Sequence, residues 1–195
     1  DSGIKISEYF DIYTYSKSDF QNNTMRENAL KKLKELHESN IIFQENFSPL
    51  TVFRNIADES SNLELEAKEA GEKIIVKLLD IGIESRPCHQ DLYHGNFIIY
   101  KDETLLIDWE YSSMGDIYFD YADLFWQNEF DHDLDLRKKT LEEIGIQSIE
   151  NKEKFEYFEM LSMITWGLWA MRRSSNSPHG KKALNNAITL LENKN

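Results

Sequence analysis

The sequence predicts an α+β domain that is mostly helical and contains one small β-hairpin. Apolar residues recur at helical spacing along most of the chain, and two short apolar runs, FIIY and TLLIDW, are separated only by a polar tripeptide. No Pro-, Gly- or Ser-rich stretch is long enough to serve as a linker. At 195 residues the chain is long enough for one domain with a substantial core.

The N-terminal half of the chain is predicted to hold one strand and two helices. Residues 1–10 alternate apolar and polar side chains, as in a half-buried strand. Two capping-box pairs then predict helices that begin near Thr24 and Ser61. The first should end at about His37, and Gly82 can end the second in a left-handed turn.

The C-terminal half is predicted to be a loop, a hairpin and then helices. The polar segment RPCHQDLYHGN leads directly into the two apolar runs of the hairpin. From about Asp120 onward the apolar residues again follow helical spacing. The predicted helical segments cover residues 120–125, a stretch ending near Gly145, residues 155–171 and residues 183–191.

Charge and cysteine content narrow the possible functions. The net charge of -13 opposes unspecific binding to nucleic acid or anionic membranes and suits a cationic small substrate, although an acidic surface most often only keeps a protein soluble. The single cysteine, Cys88, excludes an internal disulfide and a cysteine-based zinc cluster, so we expect a cytoplasmic protein. With no run of about 18 apolar residues and no signal-like start, we expect neither a membrane span nor export.

The residues that carry chemistry surround the hairpin. His89-x-Asp91-x-x-x-x-Asn96 precedes it, and Asp108 ends its second strand. Phosphoryl transfer needs a carboxylate that accepts the proton of the attacking hydroxyl, together with oxygen ligands for Mg²⁺. The spacing from Asp91 to Asn96 matches the protein-kinase catalytic loop, and Asp108 follows a strand as the D-F-G aspartate does. Order, spacing and context predict a kinase-type site that uses Mg²⁺ and ATP.

A long segment, CHQDLYHGNFIIYKDETLLIDWEYSSMGDIYFDYADLF, resembles the catalytic core of choline and ethanolamine kinases and the related aminoglycoside phosphotransferases, which share a protein kinase-like fold. Within it, DWEYSSMGDIYFDYADL is similar to the bacterial choline kinase-like branch. The resemblance implies that residues 11–195 form the C-terminal catalytic lobe of such a kinase. Residues 1–10 would be the hinge strand, with Glu8, Tyr9 and Phe10 at the adenine.

The resemblance lacks the N-terminal lobe, which carries the phosphate-covering loop and a strand lysine. We therefore expect the chain to be a piece of a longer enzyme and to transfer phosphate poorly on its own. The alternative is a naturally short protein that has lost ATP binding.

The same resemblance assigns roles to five polar residues. Asp91 is the implied catalytic base, and His89 braces its loop. Asn96 and Asp108 are implied Mg²⁺ ligands, and Asp120 is implied to be a buried aspartate that holds the loop. On the residues alone, Asp120 is equally suited to cap the helix that follows it.

The segment WGLW predicts the substrate class. Trp166 and Trp169 lie three apart on a helix, with Gly167 leaving space between them. A quaternary ammonium donates no hydrogen bond, so proteins recognise it through aromatic faces. WGLW resembles the tryptophan pair that lines the choline site of choline kinases, and Glu110 or Asp123 could add negative charge. We therefore expect choline or ethanolamine as a small cationic substrate, with no nucleic-acid or membrane partner.

Several alternatives stay open on the sequence. Spacing alone favours both tryptophans as core residues. Where eukaryotic choline kinases carry a glutamate and a further tryptophan, this chain reads Trp126-Gln127-Asn128-Glu129. An aminoglycoside or other small-molecule phosphotransferase is thus an alternative, as is a non-catalytic module that binds a cation. The oligomeric state is not predicted.

Overall fold

A computed structural model describes residues 11–43, 48–59 and 64–194, and these residues form seven α-helices and five short strands. The predicted α+β, mostly helical fold class is confirmed. The helices are α1 (Asn23–His37), α2 (Pro49–Glu59), α3 (Leu65–Ile81), α4 (Ile117–Gln127), α5 (Leu134–Glu143), α6 (Ile149–Arg173) and α7 (Pro178–Glu192). The strands are β1 (Tyr13–Thr14), β2 (Arg86–Cys88), β3 (Phe97–Tyr100), β4 (Glu103–Leu106) and β5 (Ser113–Gly115). The predicted strand over residues 1–10, with Glu8, Tyr9 and Phe10, lies outside the described residues.

Helix α6 is the centre of the core. It packs against α2, α3, α4 and α7. Its side chains at Phe158, Leu161, Ile164 and Leu168 are fully buried, and burying an apolar side chain of this size stabilises a fold by about 1.5–3 kcal/mol. The helix therefore gives the neighbouring loops a rigid support. None of the helices in the described part of the chain has the length and apolar content to cross a bilayer.

The ends of α1 and α3 test the predicted capping signals. Helix α1 ends at His37 as predicted, but its cap is Asn22, whose side chain accepts a hydrogen bond from the Met25 amide at 3.2 Å. The predicted cap at Thr24 is wrong, because this residue lies inside the first turn. Helix α3 ends before Gly82, whose φ of 102° suits a residue without a side chain. The predicted start at Ser61 lies outside the described residues.

Helix α2 was not predicted from the sequence. Its buried residues Val52, Phe53 and Ile56 follow helical spacing over only three turns, which is short enough to be read as a loop. The ring of Phe53 lies where a Cβ at Gly71 of α3 would be, so these helices approach closely only because residue 71 is glycine. Gly71 belongs to a different helix, so the sequence pattern within α2 does not reveal this contact.

Two small sheets position the predicted catalytic loop. The hairpin of β3 and β4 is confirmed, with Phe97 opposite Leu106, and Lys101 and Asp102 turn the chain with positive φ values of 49° and 64°. Strand β1 adds to the other edge of β3. A second sheet, not predicted, pairs β2 with β5. Residues 89–96 run between these two sheets, so both ends of the loop are fixed.

Candidate active site

The start of the loop is held by Asp120 on α4. The Asp120 carboxylate is fully buried and accepts hydrogen bonds from the amides of His89 at 2.9 Å and Gln90 at 2.8 Å. Nε2 of His37 on α1 lies 2.8 Å from the same carboxylate. Gln90 has a φ of 67°, a conformation that non-glycine residues adopt only when their surroundings enforce it. One carboxylate thus joins α1, α4 and a constrained loop backbone.

The cap of α4 is a different aspartate. Asp116 precedes the first helical residue, and its carboxylate accepts a hydrogen bond from the Tyr118 amide at 3.0 Å. Asp120 lies within the first turn and uses its carboxylate for the loop. The interpretation of Asp120 as a helix cap is therefore wrong.

Asp91, Asn96 and Asp108 are brought together by hydrogen bonds around the hairpin. The side-chain amide of Asn96 donates to the Asp91 carbonyl at 2.8 Å and to its carboxylate at 2.9 Å. The Asn96 carbonyl accepts from the Ile107 amide at 3.0 Å. Asp108 is the next residue, and its φ of 63° turns the chain sharply after β4. The catalytic loop thus contacts the end of β4 through Asn96 and Ile107, and Asp108 lies near enough to Asp91 for its charge to act there.

The electrostatics of Asp91 show which carboxylates share its cleft. Burial is the largest effect and raises the pKa of Asp91. The Asn96 hydrogen bond and the His89 imidazole lower that pKa, whereas the carboxylates of Asp108 and Glu110 raise it. Asp108 and Glu110 are both exposed, so the surface next to Asp91 is open to solvent and negatively charged. A cation bound between these groups would relieve their repulsion.

His89 braces the loop from inside the protein. Its ring is fully buried, with Nε2 2.9 Å from the Ile107 carbonyl and the ring centroid 4.8 Å from that of Trp109. Among the described residues its hydrogen bonds go to the end of β4, to Asp120 and to the loop that follows β4, not to the Asp91 carboxylate. His89 is therefore a positioning residue for the loop and for Asp108.

Asp123, one turn after Asp120 on α4, is a second buried anchor. Its carboxylate accepts a 2.7 Å hydrogen bond from the Leu92 amide and one of 2.6 Å from the Ser162 hydroxyl on α6. Gln127 lies between two carboxylates, with its Nε2 3.3 Å from Asp123 and 3.4 Å from Asp91. Burial and, next, the charge of Asp91 raise the pKa of Asp123 to about 7.

The position of Asp123 corrects the sequence prediction. A carboxylate with no exposed surface cannot contact a substrate, so Asp123 lies behind the loop instead of in the cleft. The sequence signal was available, because Asp120 and Asp123 are three apart on one helix and face the same side. Both therefore hold loop amides.

Three aromatic rings form a wall beside the carboxylates. The ring centroids of Trp166 and Trp169 are 6.1 Å apart at 84°, and those of Trp166 and Tyr111 are 5.2 Å apart at 80°. Trp166 is only 7% exposed and belongs partly to the core, whereas Trp169 is half-buried. The sequence prediction missed Tyr111, although it directly follows Glu110. We call these three rings the aromatic wall.

Tyr111 links the wall to the carboxylates. Burial raises the pKa of its hydroxyl, and the charges of Glu110 and Asp91 raise it further. These interactions place Tyr111 within electrostatic range of the predicted base. Tyr111 therefore lies within range of the predicted site residues Asp91 and Glu110 and in ring contact with Trp166.

The residues present suit a hard divalent cation. The amide nitrogen of Asn96 is used by Asp91, so its amide oxygen is the atom available to a metal. The exposed carboxylate of Asp108 supplies further oxygen ligands. Mg²⁺ prefers oxygen ligands of these kinds. The donor set at this loop therefore fits Mg²⁺ better than a soft metal.

Known proteins share the sequence and fold of this region. The model of the phosphotransferase enzyme family matches residues 11–151. Protein LicA of Haemophilus influenzae is 29% identical over 129 residues, which are 62% of this chain and 38% of that protein. The chain therefore spans well under half the length of this curated relative.

Solved structures extend the likeness to nearly the whole chain. The crystal structure of LicA in complex with AMP has a TM-score of 0.79 and 24% identity, covering 96% of this chain and 68% of the other. Choline kinase LicA from Streptococcus pneumoniae has a TM-score of 0.77 and 24% identity, covering 95% and 69%. These similarities show a shared fold, as the sequence resemblance predicted.

Proposed function

Because the chain belongs to the phosphotransferase enzyme family, we propose that it carries the catalytic lobe of an ATP-dependent kinase that phosphorylates the hydroxyl of choline. The observation that supports this most is that Asn96 bonds to Asp91, with the charge of Asp108 acting on Asp91 and that of Asp91 acting on Tyr111 of the aromatic wall. Phosphate chemistry and a surface for an organic cation thus lie side by side. The fold shared with structures of a LicA–AMP complex and a choline kinase supports the same proposal.

Asp91 is the proposed catalytic base. It is partly exposed, so it can meet an acceptor hydroxyl, and Asn96 and Gln127 orient its two carboxylate oxygens. The raised pKa of Asp91 makes it a better proton acceptor than an ordinary aspartate. In this role the carboxylate aligns the choline hydroxyl and takes its proton as the oxygen bonds to the γ-phosphorus of ATP, whose bond to the β–γ bridging oxygen breaks to release ADP.

Asn96 and Asp108 are the residues that would hold Mg²⁺ with the nucleotide. When bound, Mg²⁺ neutralises charge on the phosphate oxygens. The residues of the chain fix where that happens, because His89 and the Asn96 backbone both hydrogen-bond to Ile107. The predicted adenine contacts at Glu8, Tyr9 and Phe10 remain a prediction.

The aromatic wall is the proposed choline site. Trimethylammonium groups bind to ring faces through cation–π attraction, worth roughly 0.5–2 kcal/mol for each contact. Tyr111, Trp166 and Trp169 supply three rings, and the ring of Trp166 is nearly perpendicular to each of the other two. Glu110 adds a nearby negative charge. Choline bound here would have its hydroxyl directed toward the cleft that contains Asp91.

Binding of a metal–nucleotide complex tests this proposal without requiring turnover. Mn²⁺ can replace Mg²⁺ as a probe, and electron paramagnetic resonance reports free Mn²⁺ as ADP and protein are added. The wild-type chain should bind the Mn²⁺–ADP complex, and Asp108→Ala should weaken that binding at least about tenfold by removing a charged metal ligand.

The matched control is Asp80→Ala, which removes an exposed aspartate from α3 and should leave binding unchanged. Equal binding by Asp108→Ala and wild type would contradict the proposed metal site. Choline binding in a chain that binds no metal–nucleotide complex would favour the non-catalytic cation-binding module.

A further inference from the structure

The outer face of the aromatic wall is already covered by a positive charge of the chain itself. The guanidinium carbon of Arg173, the last residue of α6, lies 4.0 Å from the centroid of the Trp169 ring. Cation–π attraction acts up to roughly 6 Å from the ring centroid, so the two groups are in close contact. A cationic ligand that used this face of Trp169 would need the position of the guanidinium.

Arg173 is held more weakly than its neighbour. Arg173 is exposed and makes no ion pair among the described residues, whereas Arg172 pairs with Glu59 of α2. The stacking contact on Trp169 is the interaction that the structure shows for Arg173. An exposed side chain with one such contact can leave it at low cost.

A second position for the guanidinium lies next to the wall. Arg172 and Arg173 both line a cleft of about 1010 Å³ between α6, α7 and the N-terminal end of α3. The carboxylates of Glu59 and Glu66 also line this cleft. Glu59 is already paired with Arg172, and Lys181 also lines the cleft, so Glu66 is the carboxylate for which Arg173 can exchange its stacking contact.

Arg173 also acts on the ring closest to the proposed base. Its charge lowers the pKa of Tyr111, against the raising effects of burial and the nearby carboxylates. The guanidinium is therefore within electrostatic range of the proposed acceptor site, not only of Trp169.

We propose that Arg173 is a tethered occupant of the acceptor site, which stacks on Trp169 in the free protein and must leave when an acceptor binds. This inference rests on the proposed choline site. Every acceptor displaces the same side chain. Arg173 therefore lowers the affinity for each acceptor by one common factor, the fraction of molecules with an open site. Selectivity among acceptors then comes from other groups, such as Glu110.

The test compares Arg173→Gln with Arg172→Gln, a matched change at the adjacent residue. Choline, tetramethylammonium and the uncharged analogue 3,3-dimethylbutan-1-ol are titrated into each full chain, and tryptophan fluorescence reports binding. Arg173→Gln should tighten all three ligands by the same factor, roughly 3- to 30-fold for the range of cation–π strengths. Arg172→Gln should leave each affinity within about twofold of wild type, a margin well below that predicted range.

The outcomes separate this inference from the proposed function. If Arg173→Gln increased the affinity for the charged ligands alone, the effect of Arg173 would be long-range repulsion. That result would contradict displacement of its side chain by the acceptor. Choline binding that is equal in wild type and Arg173→Gln would leave the choline site intact and overturn the role of Arg173. If neither protein binds choline, both the choline site and the occupant are wrong, while metal–nucleotide binding through Asp108 still tests the proposed metal site separately.

A second variant guards against loss of the fold. Arg173→Lys keeps the charge and most of the apolar stem but loses the planar group that stacks. It should tighten all three ligands by a smaller common factor than Arg173→Gln. Weaker binding of all ligands in Arg173→Lys would show that the arginine supports the site, which contradicts the inference.

Discussion

The catalytic loop and the aromatic wall lie side by side but are held in opposite ways. Two fully buried carboxylates, Asp120 and Asp123, bind the loop backbone through three amides, those of His89, Gln90 and Leu92. The wall is held by packing of rings, one of which is half-buried and stacked under an exposed arginine. The proposed reacting groups are thus held by buried hydrogen bonds, whereas the proposed acceptor surface ends in a half-buried ring under an exposed side chain.

This difference teaches where a change in sequence should affect stability and where it should affect binding. A buried polar group that loses its partner costs far more than an exposed contact does, because water cannot replace the partner. Changes behind the loop should therefore unfold the protein before they alter its chemistry. Changes in the wall should alter affinity with little effect on the fold.

The largest effect is expected for Asp120→Ala. It leaves two loop amides and His37 without their acceptor inside the protein, so we expect a loss of about 3–5 kcal/mol in the free energy of unfolding. Urea unfolding monitored by circular dichroism measures it. Asp120→Asn, which keeps one acceptor oxygen, should lose less, and Asp80→Ala should change stability by less than about 0.5 kcal/mol.

Asp120→Ala could instead lower the free energy of unfolding no more than the Asp80→Ala control does. The loop would then not depend on its buried anchor, which contradicts the proposed difference between the loop and the wall.

The next effect is a pH dependence that comes from Asp123. Its pKa is about 7 in the folded protein, against 3.8 for an ordinary aspartate, so between these pH values unfolding releases its proton. The stabilising contribution of the protonated group is complete below about pH 4 and is lost as the pH rises through about 7. The change amounts to at most about 4 kcal/mol.

The measurement for Asp123 is the free energy of unfolding of wild type and Asp123→Asn from pH 4 to pH 8. The difference between the two proteins should shift in favour of Asp123→Asn as the pH rises, because asparagine does not titrate. Since Asp91 and Asp123 interact, the midpoint belongs to the pair. A difference that stays constant with pH would show that Asp123 titrates as an ordinary aspartate.

Most features of the catalytic loop and its surroundings were predicted from the sequence. The hairpin, the order of the helices after it and the cluster of Asp91, Asn96 and Asp108 all follow from local spacing, and the structure contains the hairpin and these helices. Local patterns are informative there because the spacing of apolar residues within a segment indicates whether that segment is a strand or a helix. The buried role of Asp120 came from the family resemblance, not from its spacing.

What the sequence missed depends on contacts between distant residues. Strands β2 and β5 are three residues long and pair across a gap in sequence that includes the whole hairpin. The hydrogen bond between Asp123 and Ser162 of α6 and the ring contact between Tyr111 and Trp166 also join residues far apart in sequence. No periodicity within a single segment reports these partners. The stacking of Arg173 on Trp169 is local, but a sequence does not tell whether an exposed side chain folds back.

The smallest effect on affinity is expected for Trp169→Leu. This change tests most directly whether Arg173 and choline compete for the aromatic wall. This change removes a ring face that choline would use, but it also removes the surface on which Arg173 competes. The two effects have similar size, so the affinity for choline should change by less than about threefold. In the Arg173→Gln background the competitor is gone, and the same Trp169→Leu change should weaken choline binding roughly 2- to 30-fold.

The control is Trp126→Leu, which changes a partly buried tryptophan that packs on His179 and should have no effect on choline binding in either background. Fluorescence is unsuited to variants that lose a tryptophan, so calorimetry should measure this cycle. Equal losses for Trp169→Leu in both backgrounds would mean that the indole binds choline without competition from the arginine.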